Sequence, residues 1–295
     1  MRNSVNNNEM NTYTNYNLVY NSNAEFAGWN LVGNPFTSNA TVSKAFYKMN
    51  NTSDGVNTTA VEAGGMIAPM EGVFVLAENA DDKNVVFAVN LTTPNKSRSV
   101  NVNVAREGEF LDRAIVTMGE GRLLNKLYLS ENTTTISIPQ DGNDYAIVPS
   151  NGQNEMPVSF KASRNANYTI SIDAENVEMN YLHLIDNMTG ADVDLLQTPS
   201  YSFEARTTDY ANRFKLVFAT GDNSNDDNFA FFSNGSFVIN NEGNAELQVI
   251  DIMGRIVKSE SINGCANVNV NAAPGVYMLR LINGDNVKVQ KVVVK

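Results

Sequence analysis

The strongest constraint on this chain is the spacing of its apolar residues. They come in short runs that alternate with polar ones, as in Val100, Val102 and Val104, or Ala245, Leu247 and Val249 set between Glu246 and Gln248. A period of two puts one side of an extended segment toward a core and the other toward water, which is the pattern of a strand. Turn residues separate the runs: residues 251–254, Asn263-Gly264, Pro274-Gly275 and Asn283-Gly284 tolerate or prescribe special backbone angles. The chain has 45 asparagines among 295 residues, a composition that suits turns and disfavours helix. Its 42% hydrophobic content is enough for folded domains. The expected fold class is all-β: tandem antiparallel β-sandwich or jelly-roll domains followed by a C-terminal immunoglobulin-like sandwich.

Taken in order, residues 1–96 are expected to form a first sandwich. Its landmark is GWNLVGNPF over residues 28–36, an apolar strand ended by a turn in which proline stops the ladder. Residues 66–76 turn into a buried strand, with residues 85–89 expected as its partner. Trp29 is the single tryptophan; among apolar neighbours a core position is the first expectation and a ligand platform the second. Residues 97–219 are expected to form a second sandwich, with strands over 114–118, 127–129, 136–138, 145–148, 158–161, 168–172, 181–185, 193–196, 201–204 and 214–218. Residues 220–228 are an acidic linker. A calcium loop there would need the bidentate Glu and central Gly that this stretch lacks. The last domain spans 229–295.

Charge and composition exclude several functions. The net charge of −11 and pI near 4.6 disfavour nucleic acid and anionic lipid. From Gly235 onward six Lys and Arg face five Asp and Glu, so the acidity lies upstream. One Cys and one His cannot make an internal disulfide or a zinc site, and no metal or cofactor is expected. No apolar run reaches the length of a membrane-spanning helix. His183 lies between Leu182 and Leu184 with no nucleophile motif nearby, which favours a structural role. Asp192 and Asp194 could share a strand face as a carboxylate pair, but a solvated strand is the plainer reading. Catalysis is not expected within these residues.

Three blocks of the C-terminal stretch carry a family resemblance: residues 247–251 followed by Met253-Gly254-Arg255, residues 273–280 (APGVYMLR), and residues 288–295 (KVQKVVVK). In this order they resemble the type A C-terminal sorting domain of proteins exported by the bacterial type IX (Por) secretion system. The resemblance makes Asp251, Gly254, Arg255, Pro274, Gly275, Tyr277, Gly284, Lys291 and Lys295 the motif residues. It implies the secretion machinery and its sortase-like peptidase as partners, a cut in or just after the linker, and delivery to the outside or outer-membrane surface of a Gram-negative bacterium. Gly254, Gly275 and Gly284 are expected to fix strand register, and a branched residue at Gly275 to be resisted because φ is positive there. The GWNLVGNPF block, and more diffusely residues 112–114, 155–157, 181–186 and 213–218, resemble large surface proteins of the same class. Such proteins carry a signal peptide and the polar start has no apolar signal core; a longer parent protein is the first expectation, with a misassigned start or a removed leader as the alternatives. Two other expectations stand beside this one: adhesin-like modules that bind glycans or host proteins, and an accessory tail of a larger secreted enzyme.

Overall fold

A computed structural model describes residues 3–8, 11–89, 97–220 and 229–294. Residues 221–228, most of the expected linker, and Lys295 lie outside the described residues. The described residues contain no α-helix; their strands form five sheets. Two sheets fall within residues 3–89, one within 99–220 and two within 230–294. By contact the chain gathers into two compact units. The first is residues 1–152, 157–177 and 199–214; the second is residues 153–156, 178–198 and 215–295.

The first unit begins with β1 (Asn3–Asn8), β2 (Asn11–Asn17), β3 (Trp29–Gly33), β4 (Ala40–Val42), β5 (Phe46–Thr52), β6 (Gly55–Val61), β7 (Met66–Ile67), β8 (Gly72–Leu76) and β9 (Asn84–Val89). They make a sandwich of β1-β2-β9-β4-β7 on β3-β8-β5-β6, closed over Val42, Phe46, Ile67, Val73, Val75, Val85 and Phe87. Residues 85–89 are therefore not the ladder partner of 72–76. β9 pairs with β2 and β4, and β8 with β3 and β5. Residues 77–83 carry the chain from one sheet to the other, so the two apolar strands meet through side chains across the core.

GWNLVGNPF is a knot of backbone satisfaction. Gly28 has φ +76°, and a Cβ there would sit 2.2 Å from the Ala77 carbonyl oxygen, so only glycine fits. Asn30 donates to the Val19 carbonyl at 3.0 Å and accepts from the Val19 N–H at 2.8 Å. Buried Asn34 donates to the carbonyls of Ser38 and Ala68 and accepts from the Phe36 N–H. These loops thus leave few orphan polar groups.

The chain continues with β10 (Ser99–Arg106), β11 (Glu109–Thr117), β12 (Leu124–Asn125), β13 (Thr135–Gln140), β14 (Asn143–Pro149), β15 (Glu155–Lys161), β16 (Ala166–Glu175), β17 (Met179–Asp186), β18 (Ala191–Asp194), β19 (Ser200–Ala205) and β20 (Phe214–Thr220). In the first unit these run β15-β13-β14-β11-β10-β16-β19, with β12 along β14. One pair, β11 with β14, is parallel. The strand expected over 127–129 does not form; the short β12 lies just before it. Leu127 is buried, but its backbone is satisfied by side chains instead of a ladder: its N–H donates to Tyr47 Oη at 3.3 Å and its carbonyl accepts from Thr58 Oγ1 at 3.0 Å. Arg213, almost fully buried, lies over the rings of Phe203 and Phe214 at 4.6 and 5.2 Å.

Two ionic joints fix this unit. Asp54, in the β5–β6 turn, accepts from Arg106 at 2.6 Å, Arg164 at 2.9 Å and Thr134 Oγ1 at 2.6 Å. Lys126 donates to both oxygens of Asp112 at 2.7 and 2.6 Å, with both side chains fully buried. The Arg113 and Ile136 N–H groups complete that carboxylate.

The second unit joins β18-β17-β20 to β21 (Ala230–Ser233), β22 (Ser236–Ile239), β23 (Asn244–Asp251), β24 (Ile256–Asn263), β25 (Ala266–Asn269), β26 (Gly275–Asn283) and β27 (Asn286–Val294). The last seven strands form a sandwich, β21-β22-β25 on β24-β23-β26-β27. Its core is Phe229, Phe237, Ile239, Leu247, Val249, Ile262, Val268, Leu279, Leu281, Val292 and Val294.

Lys126→Met leaves Asp112 buried without its cation and is expected to lower the unfolding free energy by about 3–5 kcal/mol in chemical denaturation of the full chain. Burial opposes the charge on Asp54, but hydrogen bonds from Arg106, Ser163 and Thr134 outweigh it and hold the carboxyl well below the usual carboxylate range. The fold therefore favours the ionised form. That stability is complete above the unfolded value of about 4 and is lost as pH falls toward the depressed folded value. Denaturation midpoints should fall with acidification below about pH 4, and Asp54→Asn should flatten part of that slope.

Candidate functional site

Asp251, Gly254 and Arg255 of the C-terminal motif share one turn, and their chemistry explains the residue types. At the β23–β24 turn Asp251 uses both carboxylate oxygens locally. Oδ1 accepts from the N–H groups of Met253 and Arg255 at 2.9 and 3.0 Å; Oδ2 accepts from Arg255 Nε at 2.8 Å. The Gly254 N–H donates to the Asp251 carbonyl at 2.9 Å, and Gly254 has φ +81°. Asp-x-Met-Gly-Arg is thus a self-capped turn. The Arg255 N–H leads the interactions that hold the Asp251 carboxyl below its ordinary range.

Gly284 opens the two-residue turn between β26 and β27 with φ +58°. Gly275 differs from the expectation. It is absent from the positive-φ residues, begins β26, and offers a Cβ nothing nearer than the Ala273 carbonyl oxygen at 3.9 Å. Its neighbour explains the motif better: Tyr277 donates from Oη to the Ala273 carbonyl at 3.1 Å and packs edge-on against Phe237 at 5.8 Å. Pro274 is exposed just before that strand. A clamp not anticipated from sequence closes the sandwich edge. The Ala230 N–H donates to Gln290 Oε1 and Gln290 Nε2 donates to the Ala230 carbonyl, both at 2.6 Å, replacing a ladder rung between β21 and β27.

The four-stranded sheet turns an apolar face outward. Register places Ile256, Ile250, Met278 and Lys291 in one row and Gln248, Arg280 and Val289 in the next. The side chains of Arg280 and Lys291 are exposed and have no ion pair or hydrogen bond among the described residues. The tip adds Ile252 and Met253, 79% and 75% exposed.

Against protein-family models, residues 233–295 match the secretion system C-terminal sorting domain. The chain carries a type IX sorting domain. The match begins within β21 and takes in the Asp251 turn, Tyr277 and both cations of the outward face. Such a domain implies export to the outside or to the cell surface. Among solved structures the chain is similar to the BSP domain of a biofilm associated protein, at 11% identity and a TM-score of 0.21, covering 100% of this chain and 65% of that one. No curated protein matches. No helix among the described residues is long and apolar enough to cross a membrane.

Upstream of the sorting domain the single-residue candidates are held in packing. Trp29 is half-buried, edge-on to Tyr47 at 5.4 Å, within a cluster that includes Leu76 and Leu129. His183 Nδ1 lies 2.7 Å from Asp192 Oδ1 and its ring stacks on Tyr181 at 4.1 Å. Asp194 accepts from the N–H groups of Leu196 and Gln197. Cys265 is half-buried, and burial pushes its thiol up. A carboxylate pair that the sequence did not suggest lines a cleft of about 260 Å³ in the first unit. Desolvation, with the charge of Glu175 adding to it, pushes Glu62 up. Glu62 Oε1 is buried with no hydrogen-bond partner among the described residues, while Glu175 accepts from Asn101 at 2.9 Å. Glu62 follows the end of β6 and Glu175 ends β16, more than a hundred residues on, so no local motif could announce them.

Gly254→Val is expected to destabilise the sorting domain by about 1–3 kcal/mol, since a branched residue must be forced to positive φ. Gly275→Val is expected to stay within about 0.5 kcal/mol of the parent. Thermal melts of the two variants distinguish this account from one in which Gly275 is the essential glycine.

Proposed function

We propose that this chain is the distal part of a type IX cargo protein, displayed at the outer surface of a Gram-negative bacterium. In this reading the sorting domain is the address, a sortase-like peptidase cuts in or just after residues 220–228, and the upstream sandwiches are the cargo. The supporting observation is the match at residues 233–295, on a sandwich that leaves one apolar sheet face open with two unpaired cations on it. The β21-β22-β25 sheet cannot serve in the same way, because Val238 packs with Tyr181, Ile185 and Val217. Recognition by the machinery then uses the face of Met278, Val289, Arg280 and Lys291, and its complement is an apolar surface bearing acidic groups.

A second reading gives the cargo a binding role, as a glycan- or host-protein-binding adhesin. It is supported by a cleft of about 740 Å³ in the first unit, lined in part by Lys44, Asp82, Arg98, Glu120 and Arg122. No catalytic role is proposed.

The test expresses the full chain behind a signal peptide in a host that has the type IX system and reads the C-terminus of the surface product by mass. A surface product lacking the sorting domain is expected; an uncut product held in the periplasm contradicts the reading. Arg280→Glu with Lys291→Glu should lower surface delivery by about tenfold or more without changing the melting temperature. Unchanged delivery of the double variant would remove that face from the account.

A further inference from the structure

β22 is buried along its whole length, Ser236, Phe237, Val238 and Ile239 alike. Phe237 and Ile239 fill the core of the sorting domain. Val238 points the other way, into a cluster with Tyr181, Ile185, Val217 and Ala219, against which Phe231 also packs. Tyr181 and Ile185 belong to β17, and Val217 and Ala219 to β20, both upstream of residue 221.

Polar contacts surround this apolar centre. Asn240 donates to the Thr220 carbonyl at 3.1 Å and accepts from Asn180 Nδ2 at 3.0 Å. Asn234, in the β21–β22 turn, donates to Asp192 Oδ2 at 3.0 Å, while the other Asp192 oxygen meets His183. An apolar centre with a polar rim is the anatomy of a protein–protein interface. No disulfide joins the two sides, since the chain has one cysteine.

From this geometry we infer that the sorting domain has a second binding surface, its β21-β22-β25 sheet, whose partner is the chain's own β17 and β20, and that this surface holds the domain on the cargo after residues 221–228 are severed. Scission removes one covalent link and leaves every contact above in place. Release is then a separate step, in which the secretion machinery must peel the sheet away. The biological weight of scission rests on the sorting reading; the retention itself does not.

The experiment replaces residues 221–228 of the full chain with a site-specific protease sequence, cuts to completion, and follows the pieces by size-exclusion chromatography and native mass spectrometry. Both pieces are expected to co-elute at the volume of the uncut chain and to register as one complex. Tyr181→Ser should weaken retention about tenfold or more, as truncation of a central aromatic does. Asn234→Asp serves where the first variant disturbs folding: aspartate tolerates the left-handed turn angle, and it sets a second charge against Asp192. That variant should loosen the complex more at low salt than at high salt. Folded pieces that separate on cutting overturn the inference, as does retention unchanged by both substitutions. Because no secretion host is involved, failure here leaves the export reading standing, and failure of export leaves retention standing.

Discussion

A strand that buries side chains on both faces obliges something to lie against each of them, and β22 is that strand. Its inward residues close the sorting sandwich over Leu247 and Leu279, while Val238 requires a second apolar surface. Were β17 and β20 absent, that residue and Phe231 would face water, at a cost of roughly 1.5–3 kcal/mol for a fully buried aliphatic side chain. The division of the second unit follows: residues 153–156, 178–198 and 215–220 gather by contact with the sorting domain. A boundary drawn where the family match begins would cut through this packing.

Elsewhere the fold meets a different demand, that buried polar groups find partners. Asp251 completes its turn with its own neighbours, Asn30 and Asn34 tie loops to carbonyls, and Gln290 stands in for a missing rung at a sandwich edge. Such amides and carboxylates do locally what a longer ladder would do in a chain of short strands. Asp54 and Asp112 are the costlier version. Both are desolvated, and both are tolerable because cations and N–H groups converge on them.

Much of this was legible in advance. Period-two runs located most strands, and the order of the C-terminal blocks identified the tail that the family match confirms. The failures have physical causes. Residues 127–129 read as a strand because Leu127 and Leu129 alternate, yet Tyr47 and Thr58 satisfy Leu127 from far away in sequence. Residues 85–89 were expected as the partner of the strand in 66–76 because both are apolar, but periodicity cannot tell a ladder neighbour from a partner across the core. Gly275 was assigned a positive φ from its place after proline; the structure gives that angle to Gly254 and Gly284 and places Gly275 in a strand. The docking of β22 was half visible, since Phe237-Val238-Ile239 is continuously apolar, as in a strand covered on both faces. What covers the second face depends on Val217 and Ala219, about twenty positions upstream, and on Tyr181 and Ile185, more than fifty upstream, and no local pattern encodes that.

On this packing the sorting domain and its upstream strands β17 and β20 are one cooperative unit. Native-state hydrogen exchange of the intact chain reads this out by comparing the amides of β17 and β20 with those of β22 as denaturant rises. The account predicts that the three strands open together, with the same opening free energy and the same denaturant dependence. If β22 and the rest of residues 229–294 open at markedly lower denaturant while β17 and β20 remain fully protected, the sorting domain is an independent appendage and the account is wrong.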